Sequence, residues 1–274
     1  MTLEFAKMHA LGNDFMIVNA VRRPFEPDAA RVRALADRRT GVGFDQLLLV
    51  EAPPADDVDF GYRIFNADGG EVAQCGNGAR CFAQFVRARG LTDKTTLRAR
   101  TAGRVVEMRV RGDGRVCVGM GEPVFDAARI PFACDGDVHA CHLDVGGHRL
   151  LFGVLSFGNP HAVTEVARLD DFPVAEVGAQ MQVHQCFPEG VNAGFMQRLD
   201  ERRLALRVYE RGVGETAACG SGACAAAVVA AHWELASMPV EVQLAGGALE
   251  VSRGDGGVEL SGPCEHVYDG VLAW

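Results

Sequence analysis

Two short runs of this chain combine a thiol with a glycine turn: Cys75-Gly76-Asn77-Gly78-Ala79-Arg80-Cys81 and, 144 residues further on, Cys219-Gly220-Ser221-Gly222-Ala223-Cys224. Each run opens a helical pattern, so each thiol is expected at a helix N-terminus. The first N–H groups of a helix have no intrahelical partners, and its macrodipole presents partial positive charge there. Glycine lets a ligand approach that backbone closely. A carboxylate could occupy the N–H nest, and an anion there gains up to about 2 kcal/mol in a favourable, partly buried setting. The same field lowers a thiol's pKa from about 8.5, so either sulfur is expected to be partly ionised near neutrality.

A thiolate and a thiol flanking a single carbon can remove a proton from one face and deliver another to the opposite face. That inverts the centre by general acid–base catalysis. A carbon beside a carboxylate is a weak acid, and such catalysis alone supplies only about 10²- to 10⁴-fold. Oriented donors aimed at the developing charge add roughly 10²- to 10³-fold each. Gly76, Asn77, Gly220 and Ser221 are the natural donors to the reacting carboxylate.

Further polar residues stand at turns and strand ends. Asn13, Asn66, Asn159 and Asn192 each neighbour glycine, proline or a strand end, a placement that serves turn chemistry or, with Gln46, Glu210 and Arg211, substrate binding. Arg211 can pair bidentately with a carboxylate and Glu210 can accept from an ammonium, which suggests a substrate with a second amino-acid end. His161 is either a satisfied structural histidine or a group that biases the thiols. Lys7 and Lys94 are the only lysines, and neither lies in a glycine-rich phosphate cradle. A pyridoxal Schiff base and a dinucleotide or phosphate-loop fingerprint are both disfavoured, so no cofactor is expected. The stretch Cys134 to His142 is rich in ligand-type residues but fits no zinc spacing, so no metal is expected there and it reads as a connecting loop and strand.

The thiols need elements to hold them, and the chain supplies those twice. Aligned on the cysteines, Glu71 falls on Glu215 and Gly70 on Gly214, and Gly12-Asn13-Asp14-Phe15 has a counterpart in Gly158-Asn159-Pro160-His161. In the first copy the alternation predicts strands at 3–8 and 15–20, a helix over 29–39 capped by Pro27-Asp28, and strands at 46–51 and 59–65. The Cys75 helix, read over 79–89, ends at Gly90. Strands at 95–101, 104–111 and 115–120 follow. The second copy predicts strands at 139–144 and 148–156, a further strand after the Gly158 turn, a helix over 174–184, and strands at 192–199 and 204–210. A helix over 223–237 and strands at 240–244, 248–252 and 257–261 complete it. The tail from His266 to Trp274 is too apolar for a free end. Mixed α/β architecture in two similar lobes is expected, with an N-terminal lobe at 1–118 joined by the tail 263–274 and a C-terminal lobe at 119–262.

Composition agrees with two compact globular units. Of 274 residues 48% are hydrophobic and 23% charged, and glycine, at 33 residues, exceeds the usual share of about 7%. A net charge of −9 disfavours nucleic acid and anionic membrane as partners and leaves a small molecule as the expected one. No apolar run approaches the ~18 residues of a membrane span and no signal-peptide pattern opens the chain. A cytoplasmic, reduced protein is expected, its nine cysteines forming no disulfide framework and mostly serving as small buried hydrophobes.

Taken together, Gly12-Asn13-Asp14-Phe15, Gly43-Phe44-Asp45-Gln46, Phe65-Asn66-Ala67-Asp68-Gly69, Cys75 to Arg80, Gly158-Asn159-Pro160-His161, Glu189-Gly190-Val191-Asn192, Glu210-Arg211, Cys219 to Cys224 and the tail His266-Val267-Tyr268-Asp269-Gly270 resemble the diaminopimelate epimerase family. The asparagine, Glu-Arg and Asp-Gln motifs separate it from the proline racemase relatives that share the cysteine turns. The resemblance implies two lobes, each a curled mixed sheet around a central helix, with the active site in the cleft between them and C-terminal residues returning to the first lobe. It implies Cys75 and Cys219 as the acid–base pair, with Gly76, Asn77, Gly220 and Ser221 on the reacting carboxylate. Asn13, Gln46, Asn66, Asn159, Asn192, Glu210 and Arg211 would bind substrate, and His161 and Glu210 would tune the thiols. The reaction implied is cofactor-free interconversion of LL- and meso-2,6-diaminoheptanedioate in lysine and cell-wall precursor synthesis, by a homodimer. The alternatives are a related racemase or isomerase of the same fold, or a nonenzymatic amino-acid binder. The stretches Cys134 to His142 and His184-Gln185-Cys186 match no signature of the family.

Overall fold

A computed structural model describes residues 2–73, 75–134 and 136–273. Met1 of the first lobe, Asp135 of the expected connecting loop and Trp274 of the tail lie outside the described residues. The chain divides into two compact units, Met1–Gly119 with Ser261–Trp274, and Met120–Leu260.

The first unit begins with β1 (Thr2–Ala10), β2 (Asn13–Asn19), α1 (Ala29–Ala36), β3 (Gln46–Glu51), β4 (Phe60–Asn66) and the two-residue β5 (Glu71–Val72). It continues through α2 (Gly76–Ala88), β6 (Thr96–Arg100), β7 (Val105–Val110) and β8 (Val116–Gly121). The second unit holds β9 (Cys141–Val145), β10 (His148–Ser156), β11 (Pro160–Glu165), α3 (Val174–Met181), β12 (Asn192–Asp200), β13 (Arg203–Glu210), β14 (Gly214–Thr216), α4 (Gly220–His232), β15 (Val240–Leu244), β16 (Gly247–Gly254) and β17 (Gly257–Gly262). The chain then returns to the first unit as β18 (Glu265–Ala273), antiparallel to β1.

The strand pairings repeat. In the first unit β18–β1 and β1–β2 are antiparallel, β2–β3 parallel, β3–β4 antiparallel, β4–β6 parallel and β6–β7 antiparallel. The second unit gives the same sequence of directions through β9–β10, β10–β11, β11–β12, β12–β13, β13–β15 and β15–β16. Even a side-chain clamp recurs. Arg63 on β4 makes a bidentate pair with Glu71 on β5 at 2.9 and 3.0 Å, and Arg207 on β13 does the same with Glu215 on β14 at 2.6 and 2.9 Å. Forked donors match a carboxylate's two oxygens, so each clamp ties a short strand down just ahead of its cysteine turn. Those two short strands were not expected from the sequence, since two or three residues carry no readable alternation.

Each unit wraps its sheet around one helix. α2 buries Ala79, Arg80, Cys81, Phe82, Ala83, Phe85 and Val86, and α4 is buried from Gly222 to Ala230. An alanine-rich helix such as α4 suits this place because its small side chains let strands close in on all sides. The fully buried Arg80 is a charged group within a mostly apolar core. Its Nε donates to the carbonyl of Pro263 at 3.1 Å and its Nη2 to Asn77 Oδ1 at 3.0 Å, so a guanidinium fastens the returning tail to the start of α2.

Helix ends depart from the expected ones in instructive ways. Asp28 caps α1, accepting from Arg31 N–H at 2.8 Å. The helix stops at Ala36 rather than 39, because the Asp37 carboxylate captures the N–H groups of Arg39 and Thr40 and offers the backbone a competing local structure. α3 ends at Met181 rather than 184, and α4 at His232 rather than 237, with Glu234 in the left-handed region at φ 57°. Both cysteine helices start earlier than expected, at Gly76 and Gly220, so the glycines form the first helical turn instead of preceding it.

One disulfide joins Cys134 to Cys186, with Cα atoms 4.9 Å apart. This overturns the expectation of uniformly reduced thiols for these two residues. The backbone brings them together, since Ala133 N–H donates to the Cys186 carbonyl at 2.9 Å. Cys75, Cys81, Cys117, Cys141, Cys219, Cys224 and Cys264 take no part in a disulfide. Among the described residues no helix is long and apolar enough to cross a membrane.

Candidate active site

Cys75 is the N-cap of α2. Its extended backbone (φ −152°, ψ 110°) turns the side chain back over the first turn, where Sγ accepts from Gly78 N–H at 3.3 Å. Gly78 has no room for a side chain, since a Cβ there would lie 2.6 Å from the Tyr62 hydroxyl. The thiol also reaches Asn13 Oδ1 at 3.9 Å, and Asn77 Nδ2 donates to the same oxygen at 3.2 Å. Arg80, bonded to Asn77 Oδ1, fixes which end of that amide faces Asn13. Nearby, Gln46 Nε2 donates to Asn66 Oδ1 at 2.8 Å across the β3–β4 pair. The first unit thus gathers Cys75, Gly76, Asn77 and Asn13 at one helix end, with Gln46 and Asn66 paired on adjoining strands.

Cys219 is the N-cap of α4, with Ser221 Oγ 3.7 Å from its sulfur. Asn159 Nδ2 donates to Ser221 Oγ at 3.2 Å, and His161 Nε2 lies 3.2 Å from Asn159 Oδ1. Glu210 accepts from the Thr216 hydroxyl at 2.5 Å. Burial pushes the Cys219 thiol well above the ordinary range, and the Glu210 carboxylate adds to the shift. At this sulfur, removal from water works against the helix-end field. Burial also lowers His161 to about 3, with Arg211 contributing, so the imidazole is neutral.

Asn192 is buried, and both ends of its amide are engaged: Nδ2 donates to the Pro160 carbonyl at 2.9 Å and Oδ1 accepts from Arg211 N–H at 3.0 Å. It therefore holds the Arg211 backbone. The Arg211 guanidinium is exposed, its Nη1 touching only the Glu189 carbonyl at 3.4 Å, and no carboxylate among the described residues pairs with it. The second unit gathers Cys219, Gly220, Ser221, Asn159 and His161 at one helix end and Asn192, Glu210 and Arg211 beside the β12–β13 ends.

Sequence reasoning passed over Lys7, Asp14, Arg38 and Asp45, which form a network behind Asn13. Lys7 Nζ donates to Asp14 Oδ2 at 2.5 Å and to the Gly43 carbonyl. Arg38 bridges Asp14 at 2.7 Å and Asp45 at 2.8 Å. Asp14 and Asp45 stood in motifs already noted, but only the parallel pairing of β2 with β3 shows that their turns meet.

The fold is shared with solved structures of low sequence identity. A phenazine biosynthesis protein of the PhzF family from Bacillus anthracis superposes with a TM-score of 0.70 at 16% identity, each chain covered in full. A hydroxyproline epimerase from Agrobacterium vitis superposes at 0.68 and 14% identity, over 99% of this chain and 92% of that one. Sequence is more specific. The pattern of the diaminopimelate epimerase family matches residues 5–125 and 153–267, and a diaminopimelate epimerase from Azoarcus sp. is 51% identical over 274 residues, 99% of either chain. The chain belongs to the diaminopimelate epimerase family.

Proposed function

We propose that the chain interconverts LL- and meso-diaminopimelate without a cofactor, Cys75 and Cys219 acting as the acid–base pair. The observation that carries this reading is the repeated geometry: each unit ends its sheet in one cysteine that caps a helix beneath a glycine turn. Inversion needs a base on one face of the reacting carbon and an acid on the other, and the two sulfurs exchange these roles with the direction of reaction. Gly76, Asn77, Gly220 and Ser221, in the first turns of α2 and α4, are placed by type to hold the reacting carboxylate as charge develops on it. Arg211, without a carboxylate partner of its own, would take the distal carboxylate, with Glu210, Gln46, Asn66, Asn13 and Asn159 accommodating the remaining polar groups. His161 and Glu210 bias the Cys219 thiol.

The product of such a reaction belongs to lysine and cell-wall precursor synthesis, which supports a cytoplasmic location. A homodimer is supported by β18, whose Val267, Tyr268 and Val271 side chains are 54%, 43% and 64% exposed, a run of large apolar groups unusual for a solvent face. Turnover of LL-diaminopimelate, measured before and after alkylation of thiols, tests the reading. Activity that survives modification of both Cys75 and Cys219 contradicts it.

A further inference from the structure

Asn13 and Asn159 occupy corresponding places, each two residues before a buried side chain on β2 or β11 and each bonded to the second residue of a cysteine helix, Asn77 or Ser221. Their amides point opposite ways. Asn159 turns its NH2 to the helix, because His161 occupies its oxygen. Asn13 turns its oxygen to the helix, because its NH2 donates to Asp45 Oδ2 at 2.9 Å. An asparagine amide is nearly symmetric in shape, so its partners decide its orientation.

The two halves also hold these turns by different means. In the second, Pro160 follows Asn159 and its ring fixes the backbone. In the first, the corresponding residue is Asp14, whose carboxylate is held by Lys7, by Arg38 and by Asp45 N–H at 3.0 Å, while Asp14 N–H returns a bond to Asp45 at 3.2 Å. Lys7 and Asp14 are largely buried, 10% and 15% exposed in their side chains, whereas Arg38 and Asp45 are open to solvent. Asp14 is held down to about 2 by these bonds against the cost of its burial, so its carboxylate is charged at any pH where the protein would work.

We propose that the Lys7–Asp14–Arg38–Asp45 network is a positioning device for Asn13, which through Asp45 keeps the amide oxygen facing Cys75. An oxygen in that place accepts from the S–H and favours the thiol, whereas an NH2 turned the same way would donate to the thiolate. The inference rests on the reading of Cys75 as an acid–base group, and it adds residues that touch neither substrate nor sulfur. The charged and titratable groups around Cys75 are Asp45, Asp14, Lys7 and Arg38 behind Asn13, Arg80 behind Asn77, and Tyr62 and Cys81 beneath the first helical turn.

The test is a double-mutant cycle on Asp45→Asn and Asn13→Ala, read as the rate of Cys75 alkylation by iodoacetamide across pH and assigned by peptide mapping. This readout needs no turnover, so it is separate from the fate of the epimerase reading, which Cys75→Ala kinetics decide. Asp45→Asn frees the amide and should speed alkylation near neutrality by roughly threefold or more, a coupling of the size expected for neighbours in one network. In the Asn13→Ala background the same change should have no further effect. Arg38→Gln should act in the same direction as Asp45→Asn, and Asp28→Asn, which removes a surface carboxylate that caps α1 and is no part of the network, should do nothing. Additive effects in the cycle, or an Asp28→Asn effect equal to that of Asp45→Asn, overturn the proposal.

Discussion

His161 stands in the second unit where Phe15 stands in the first. Each is fully buried, and each faces the next strand across a parallel pair, Phe15 opposite Gln46 and His161 opposite Asn192. The duplication thus carries an apolar ring in one half and a titratable ring in the other. The histidine keeps its hydrogen bond to Asn159 at the cost of placing a basic group in the core.

That substitution has a pH signature. His161 is lowered to about 3 by burial and by Arg211, while in the unfolded chain an imidazole titrates near 6.5. Between those values the unfolded state binds a proton that the folded state refuses, so stability falls as pH falls through this window, by up to about 1.4 kcal/mol per pH unit. Above the unfolded value the group contributes no pH dependence. His161→Phe, which copies the first unit, should flatten the slope between about pH 6 and 4; urea unfolding at a series of pH values measures it, and an unchanged slope means that His161 titrates normally in the folded protein.

Gly78 and Tyr62 form a second testable pair. A methyl group at Gly78 would press on the Tyr62 hydroxyl, which is buried and has no hydrogen-bond partner among the described protein groups. Gly78→Ala should cost about 1–3 kcal/mol, as overpacking does. Tyr62→Phe alone should be neutral or stabilising, since it removes a desolvated hydroxyl, and in combination it should recover part of the Gly78→Ala loss. Thermal unfolding of the three variants checks this, and equal losses for Gly78→Ala in both backgrounds contradict it.

The cysteine turns, the duplication and the mixed α/β class were legible because thiols, glycines and alternating strands leave local marks. The short strands β5 and β14 were not, for two or three residues paired to β4 and β13 and tied by the clamps Arg63–Glu71 and Arg207–Glu215, whose partners lie eight residues apart, leave no local pattern. The Asn13 network was hidden for a similar reason: Lys7, Asp14, Arg38 and Asp45 are brought together by β1, β2, the turn after α1 and the entry to β3. The protonated state of Cys219 also could not be read locally, because its largest cause is burial by the surrounding sheet. The disulfide between Cys134 and Cys186 joins stretches 52 residues apart that carry no mutual signal.

Arg211 should govern selectivity for a substrate with two amino-acid ends. Anchoring the far carboxylate orients the reacting carbon, and orientation contributes several kcal/mol. Arg211→Ala should therefore lower kcat/KM for diaminopimelate by about two orders of magnitude or more while leaving the fold intact, since the Asn192 bond is to its backbone N–H. Steady-state kinetics with far-UV circular dichroism checks both halves of the expectation; wild-type kcat/KM in a folded variant rules out the distal anchor.

The most direct test of the two-thiol mechanism is the hydrogen found at the inverted centre in the first product formed in deuterium oxide. A single mobile base tends to return the substrate's own proton, whereas two thiols deliver one that has already equilibrated with solvent. Early meso product from LL-diaminopimelate should carry deuterium at the inverted carbon while unreacted substrate carries little, as read by NMR or mass spectrometry at low conversion. Initial product that retains the substrate's hydrogen at that carbon would contradict the account.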